Sequence, residues 1–280
     1  MYAKSATPFT LENRRFSTPE VALTASTSVL VDALFRTRTS VKATILIALV
    51  YPSVVFAVPC PTPKTLSPKF VVNRIIDGDT VSLDDGSRVR LTGFNSFELK
   101  DSGWKGRSAR EAKRKITEWL LGKKVHLTPW PAPADRYGRL LGNLWLTSKY
   151  LGELLVAEGL ALTVSVPPQS TLVSCLSSIE WDARDARKGF WSLGQLPERM
   201  QALDKNGFRF GVGSVTEIIN PKSFILDGRL RVLLPEADPN IKVGIRFEVR
   251  GWVSRSPKWL RKRAPWTLKL KDMTNRVRVF

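Results

Sequence analysis

Between residues 75 and 98 the chain reads IIDGDTVSLDDGSRVRLTGFNSFE, and its polar residues are of the kinds that phosphate chemistry uses. Asp77 and Asp79 stand two residues apart, so an extended strand would turn both carboxylates to one side. Asp79, Asn95 and a nearby main-chain carbonyl would offer a cation nothing but oxygen, which suits a hard ion such as calcium rather than zinc. Glu98 could orient or deprotonate a water, and Arg90 could neutralise a phosphate. Taken alone, D-G-D-T reads better as an ordinary turn, because Asp and Gly are turn residues.

The composition narrows the chemistry further. The 280 residues suffice for one large domain or two modest ones, and at 43% hydrophobic they can bury a real core. Lys and Arg total 44 against 25 Asp and Glu, a net charge of +19. That balance predicts attraction to polyanions, either nucleic acid or an anionic membrane surface. One histidine, His126, and two cysteines, Cys60 and Cys175, exclude a zinc site built on a histidine pair or on C-x-x-C repeats. A histidine-based triad would have to use His126, which lies in the alternating segment KKVHLTPW and is expected on a strand surface. The chemistry therefore falls to carboxylates, arginines and an oxygen-ligated metal.

Short strands must position these groups. KFVVNRII, TVSLDD, SRVRLTGF, KKVHLTPW and RLLGNLWL alternate in polarity, with turns at Asp85-Gly86 and Arg136-Tyr137-Gly138. Three helical patterns interleave with them. RSAREAKRKITEWLL places Ala109, Ala112, Ile116 and Leu120 on one face and ends at Gly122; LGELLVAEG ends at Gly159. The third, TLVSCLSSIEWDARDARKGFW, has Leu172, Cys175 and Ile179 apolar, with Cys175 expected as a small buried hydrophobe. Five strands with helices packed on one side predict a small closed barrel, α+β in class. The pattern breaks around LPERMQALDKNG, and residues 205–280 carry a second run of strands without a helix, suited to a second small barrel of the oligonucleotide-binding type.

Residues 1–40 are Ser/Thr-rich without periodicity and are expected to be disordered or absent from the working protein. Over 41–57, an apolar run from Ala43 follows Arg36, Arg38 and Lys42 and closes on Val55-Phe56-Ala57. That is the pattern of a secretory signal cut after Ala57, and translation starting further downstream would account for its late position. The protein is thus expected to be exported, to the periplasm or beyond. An uncleaved membrane anchor is the alternative, although the run falls short of the roughly 20 residues that span a bilayer. A Pro-rich linker fills 58–67. In an exported protein Cys60 and Cys175 could pair, which the sequence leaves open.

Five motifs occur in order at sensible distances: I-D-G-D-T, V-R-L-x-G-x-N-x-x-E, D-R-Y-G-R-L-L, L-V-A-E-G-L-A and K-G-F-W-S. Together they resemble the thermonuclease family of staphylococcal-nuclease-like proteins, over residues 68–193. The resemblance implies a five-stranded barrel with three helices. It also implies calcium-dependent hydrolysis of DNA and RNA that leaves 3′-phosphate ends, other divalent ions being possible. It casts Asp79 as a calcium-binding carboxylate, Asn95 where the family usually has a second metal-binding Asp, and Ser96 as a carbonyl reaching the metal. Glu98 matches the carboxylate proposed to activate water, and Arg90 and Arg139 match two arginines that bind the scissile phosphate and its transition state. Asp77 and Thr80 support them, while Arg136 and Tyr137 lie in the turn contacting a terminal phosphate. Nucleic acid is the partner implied, and no protein partner is.

The chain departs from the family in three places. Asn95 replaces a carboxylate, Phe97 stands where a Pro is usual, and LTVSVPP lies where tyrosines stack on the base. The Asn95 change supports a rival reading, a nucleic-acid-binding protein on a weakened nuclease barrel, and the intact set of Arg90, Glu98 and Arg139 opposes it. The basic stretch VSRSPKWLRKRAPWTLKL carries Trp259, Arg261, Lys262, Arg263 and Trp266, with Trp252 close by. Cations interleaved with aromatics suit single-stranded nucleic acid, or else form a solvated loop whose tryptophans pack on the barrel. A looser similarity, through the strand IRFEVRGWV, links this region to thermonuclease-like proteins that carry an extra C-terminal barrel.

Overall fold

A computed structural model describes residues 60–63, 69–131, 134–167 and 170–279. The expected N-terminal extension, the signal and most of the linker lie outside the described residues. Among the described residues no helix is long and apolar enough to cross a membrane.

Alternating polarity drives the first barrel. β1 (Lys69–Ile75) pairs antiparallel with β2 (Thr80–Leu83), and β2 with β3 (Arg88–Leu91). After the two-residue β4 (Phe94–Asn95) comes α1 (Gly103–Leu120). β5 (Lys124–Pro129) then returns to the far edge of β1 and pairs with β6 (Leu140–Leu146). β6 runs parallel to β3, with Val89 opposite Leu140 and Leu91 opposite Gly142, and so closes the sheet at five strands. In β3, Val89 and Leu91 are buried in the core, so the two-residue period sends Arg88 and Arg90 to the outer face.

In α1, Ala109, Ala112, Ile116 and Leu120 are buried, as the 3.6-residue period requires. The helix begins at Gly103, earlier than its apolar pattern suggested, and stops where Gly122 takes φ +74°, a left-handed conformation glycine adopts without strain. β7 (Lys149–Tyr150), α2 (Leu151–Ala157), β8 (Leu162–Thr163) and α3 (Ser170–Asp185) complete this half. β8 pairs with β4, Leu162 opposite Asn95. Cys175 of α3 is buried as expected, but as one half of a disulfide to Cys60, their Cα atoms 5.3 Å apart.

The second sheet begins earlier than the expected boundary at 205. β9 (Glu198–Arg199) adds in parallel to the long β10 (Gly207–Asn220), and the following Met200 is buried in the second core. β11 (Ser223–Leu226), β12 (Leu230–Leu233), β13 (Arg246–Arg255) and β14 (Trp266–Lys269) follow, with β15 (Arg276–Val279) on the outer edge of β13. The β12–β14 pair is parallel and β13 pairs with β10, so five strands again close a barrel, around Phe224, Leu226, Val232, Phe247 and Leu268.

The two barrels belong to one compact unit. Phe97, Phe190 and Trp191 of the first half share an apolar cluster with Phe210 of β10. Around it, Arg184 of α3 grips Glu248 of β13 at 2.7 and 3.0 Å, and Arg250 of β13 grips Glu180 of α3 at 2.7 and 2.9 Å. Asn275 exchanges hydrogen bonds with the main chain of Ser165 at 2.7 and 2.9 Å. Packing and paired charge together fix one barrel on the other.

Candidate active site

Asp77, Gly78 and Asp79 form the turn between β1 and β2 rather than an extended strand. The two carboxylates come together for a different reason from the one expected. The main-chain N–H of Asp79 donates to Asp77 Oδ1 at 3.0 Å, and this local bond fixes the bend. A Cβ at Gly78 would lie 2.5 Å from Ser96 Oγ, so the approach of this turn to the 95–98 loop requires glycine.

Asp79 is buried. Its Oδ2 accepts from the Ser96 N–H at 3.0 Å and from Ser96 Oγ at 3.1 Å, and lies 3.1 Å from Arg90 Nη2. Thr80 Oγ1 donates to Asp79 Oδ1 at 3.2 Å. Arg90 Nη2 donates to Asn95 Oδ1 at 2.9 Å, and Nη1 to the carbonyls of Leu91 and Phe94. Asn95 Nδ2 donates to the Ser96 carbonyl at 2.7 Å. The three residues expected to hold a metal are therefore linked by hydrogen bonds, with the Arg90 guanidinium bonded to Asp79 and Asn95.

Asp77 titrates abnormally. Burial, and then the charge of Asp79, push its carboxyl up to about 6 from an ordinary 3.8. The folded protein thus holds a proton between these values that the unfolded chain has released. The penalty this group places on folding is therefore absent below 3.8, grows as pH rises through that window and is complete above 6. Asp77→Asn keeps the acceptor for the Asp79 N–H and removes the penalty. In chelator near pH 7.5 the variant is expected to be more stable by about 1–2 kcal/mol, with the gain vanishing near pH 4. Thermal melts at the two pH values check this, and an equal gain at both would refute it.

Arg139 follows the turn between β5 and β6. Its Nε and Nη2 donate to Asp135 Oδ2 at 2.9 and 2.7 Å, and Nη1 reaches Thr80 Oγ1 at 3.3 Å. Asp135 Oδ1 accepts from the main-chain N–H groups of Tyr137 and Arg139. Burial works to raise the Asp135 carboxyl, but the bonds from Arg139 and the turn outweigh it and hold the group below its usual value. Sequence reasoning assigned Asp135 no role, although its place four residues before Arg139 in D-R-Y-G-R was the available sign. Tyr137 is exposed, with Arg136 stacked 4.8 Å from its ring centre.

A cleft of about 390 Å³ collects Asp77, Thr80, Arg88, Glu98, Tyr137 and Arg139, with Ile76 and the unforeseen Lys100 completing it. Glu98 is exposed there, and its own N–H donates to Asp101 Oδ2 at 3.1 Å. Arg90 does not line this cleft. It faces an adjoining apolar pocket of about 190 Å³, shared with Arg139. Asn95 and Ser96 line a third opening, of about 480 Å³, toward the second barrel. Among the described residues no group of three His, Cys, Asp or Glu is placed to hold a metal.

The C-terminal stretch is sorted differently from expectation. Trp266 is 3% exposed, packs in the second core and donates from Nε1 to the Leu203 carbonyl at 3.1 Å, so it has no face for a base. Arg261 donates to the Ser256 carbonyl at 2.9 Å, and Arg263 pairs with Glu217 of β10. Trp259 and Lys262 are exposed. None of these five lines any of the three openings.

A five-stranded barrel whose outer wall gathers guanidiniums, a carboxylate and an oxygen cluster defines a staphylococcal-nuclease-like domain. Residues 88–193 match the family model of staphylococcal nuclease homologues. The thermonuclease of Staphylococcus intermedius is 30% identical over 126 residues, covering 44% of this chain and 75% of that protein. The thermonuclease of Staphylococcus hyicus is 31% identical over 127 residues, with the same coverage. The chain belongs to the staphylococcal nuclease family, with a second barrel beyond the matched residues.

Proposed function

We propose that this protein is an exported, calcium-dependent, sugar-nonspecific nuclease that cleaves DNA and RNA to 3′-phosphate ends. The observation that carries the reading is the shared cleft, where Glu98 and Arg139 face one space and Asp135 holds the guanidinium in place. There Glu98 takes a proton from the water attacking phosphorus. Arg139, with Arg90 beside it, meets charge building on the phosphate oxygens, and the bond to the 5′ oxygen breaks. Tyr137 borders the same cleft and carries Arg136 stacked on its ring, a pair that suits a terminal phosphate.

The donor set at Asp79, Asn95 and Ser96 is all oxygen, which suits a hard divalent cation. These three residues would hold it. When bound, the cation would supply positive charge beside the phosphate and the water. One carboxylate where two would bind more strongly makes for weak affinity. Asn95→Asp is therefore expected to tighten calcium binding by about tenfold or more, read by calorimetry without substrate. Unchanged affinity would remove residue 95 from the site.

Export is supported by the Cys60–Cys175 disulfide, because such bonds persist in oxidising compartments, together with the signal pattern ending at Ala57. The test of the whole reading is digestion of single- and double-stranded DNA and RNA with calcium or with chelator. Calcium-dependent cleavage supports it. Tight binding without cleavage would favour the second reading, a nucleic-acid-binding barrel. That reading draws on the amide at Asn95, whose oxygen is already held by Arg90.

A further inference from the structure

The second barrel sets one half-exposed aromatic ring, Trp252 of β13, at the edge of the nuclease site. Three openings join there. The cleft between the barrels shares Glu98 and Lys100 with the cleft holding Arg139. Arg139 also lines the apolar pocket, and Trp252 lines both that pocket and the cleft between the barrels. A path therefore leads from Arg90 and Arg139 to the surface of the second barrel.

The chemistry along this path is uneven in a useful way. In the apolar pocket Leu141, Val164 and Val166 offer no ring, and Trp130 is 9% exposed. Trp252, at 49%, presents the open aromatic surface. Phe208, its partner across the β10–β13 ladder, meets it edge-on with ring centres 5.2 Å apart and limits its motion. In the cleft beyond, Glu198 takes up Lys105 and Arg209, whereas Lys100 and Lys205 make no ion pair among the described residues. An aromatic platform next to a phosphate site, followed by unpaired cations in a chain of +19, is what a single strand of nucleic acid requires.

We propose that Trp252 is a base-stacking platform lent by the second barrel to the nuclease site. A base next to the scissile phosphate lies on its ring, and phosphates further along the strand pass over Lys100 and Lys205. This rests on the nuclease reading and adds to it a substrate form, since a duplex keeps its base faces stacked internally.

The test measures binding of a fluorescein-labelled oligothymidylate of about eight nucleotides in chelator, with Glu98→Gln as parent so that the probe survives. Trp252→Ala is expected to weaken binding about tenfold and Trp252→Phe to recover most of it, the loss being smaller for duplex DNA of equal length. Thermal melts confirm that each variant is folded. Affinity unchanged in Trp252→Ala, with cleavage by the wild-type chain intact, overturns the platform and leaves the nuclease reading standing. Weakening by Trp259→Ala but not by Trp252→Ala also overturns it, moving the contact to the basic loop. A parent that does not bind, together with a wild-type chain that does not cleave in calcium, overturns both readings.

Discussion

Glu98→Gln is expected to lower kcat by about 10²- to 10⁴-fold, the range a positioned general base contributes. Glutamine keeps the size and hydrogen-bonding reach of the side chain but cannot accept the proton of an attacking water. The side chain is exposed, and the loop is held by main-chain bonds, Glu98 N–H to Asp101 and Ser96 N–H to Asp79, which the substitution leaves in place. Folding and substrate affinity should therefore change little. Because the lost interaction exists only in the transition state, kcat and kcat/KM should fall together. Steady-state kinetics on a labelled oligonucleotide reads this directly. Activity retained within tenfold would assign the proton to another group and leave Glu98 a mere rim residue.

The structure also explains what the sequence could and could not disclose. The first barrel was legible because Val89 and Leu91 alternate with Arg88 and Arg90, a two-residue period that sorts core from site in one strand. The helix over Gly103–Leu120 was legible from Ala109, Ala112, Ile116 and Leu120 for the corresponding reason. Asp77 and Asp79 were rightly grouped for the wrong cause, since a hydrogen bond across one residue brings them together where strand geometry was expected to. Trp266 went astray because composition counts a tryptophan among cations alike whether it faces solvent or the core. In this stretch only the closure of β12 on β14 decides which. What no local pattern discloses is the contact between barrels. Trp252 reaches the site, and Arg250 reaches Glu180, across sequence separations that carry no period to read.

That last contact leads to the largest expected loss of stability. Glu180 is buried, and its carboxylate accepts from Arg250 Nη1 at 2.7 and 2.9 Å and from the Thr163 N–H at 2.6 Å. Arg250 also donates to the Thr163 carbonyl at 3.0 Å, so both main-chain groups of Thr163 depend on this pair. Arg250→Ala strands the carboxylate in the interface and is expected to cost about 3–5 kcal/mol, measured by urea denaturation. The companion variant Arg250→Met/Glu180→Leu removes both charges and should recover only part of that loss, because no buried ion is left unpaired but the Thr163 N–H and carbonyl lose their partners. The site should register the damage as well. Thr163 lies in β8, where it pairs with Phe94 while Leu162 pairs with Asn95, so loosening β8 loosens the strand that carries an oxygen of the proposed metal site. Calcium affinity of the folded fraction should therefore fall in Arg250→Ala but not in a variant that breaks Lys105–Glu198, a pair outside the β4–β8 ladder. A loss below about 1 kcal/mol in Arg250→Ala would mean that water reaches Glu180 and the pair behaves as a surface ion pair. The second barrel would then be held by its apolar cluster, the Arg184–Glu248 pair and the Asn275–Ser165 bonds, and the nuclease site would not depend on the Arg250–Glu180 pair.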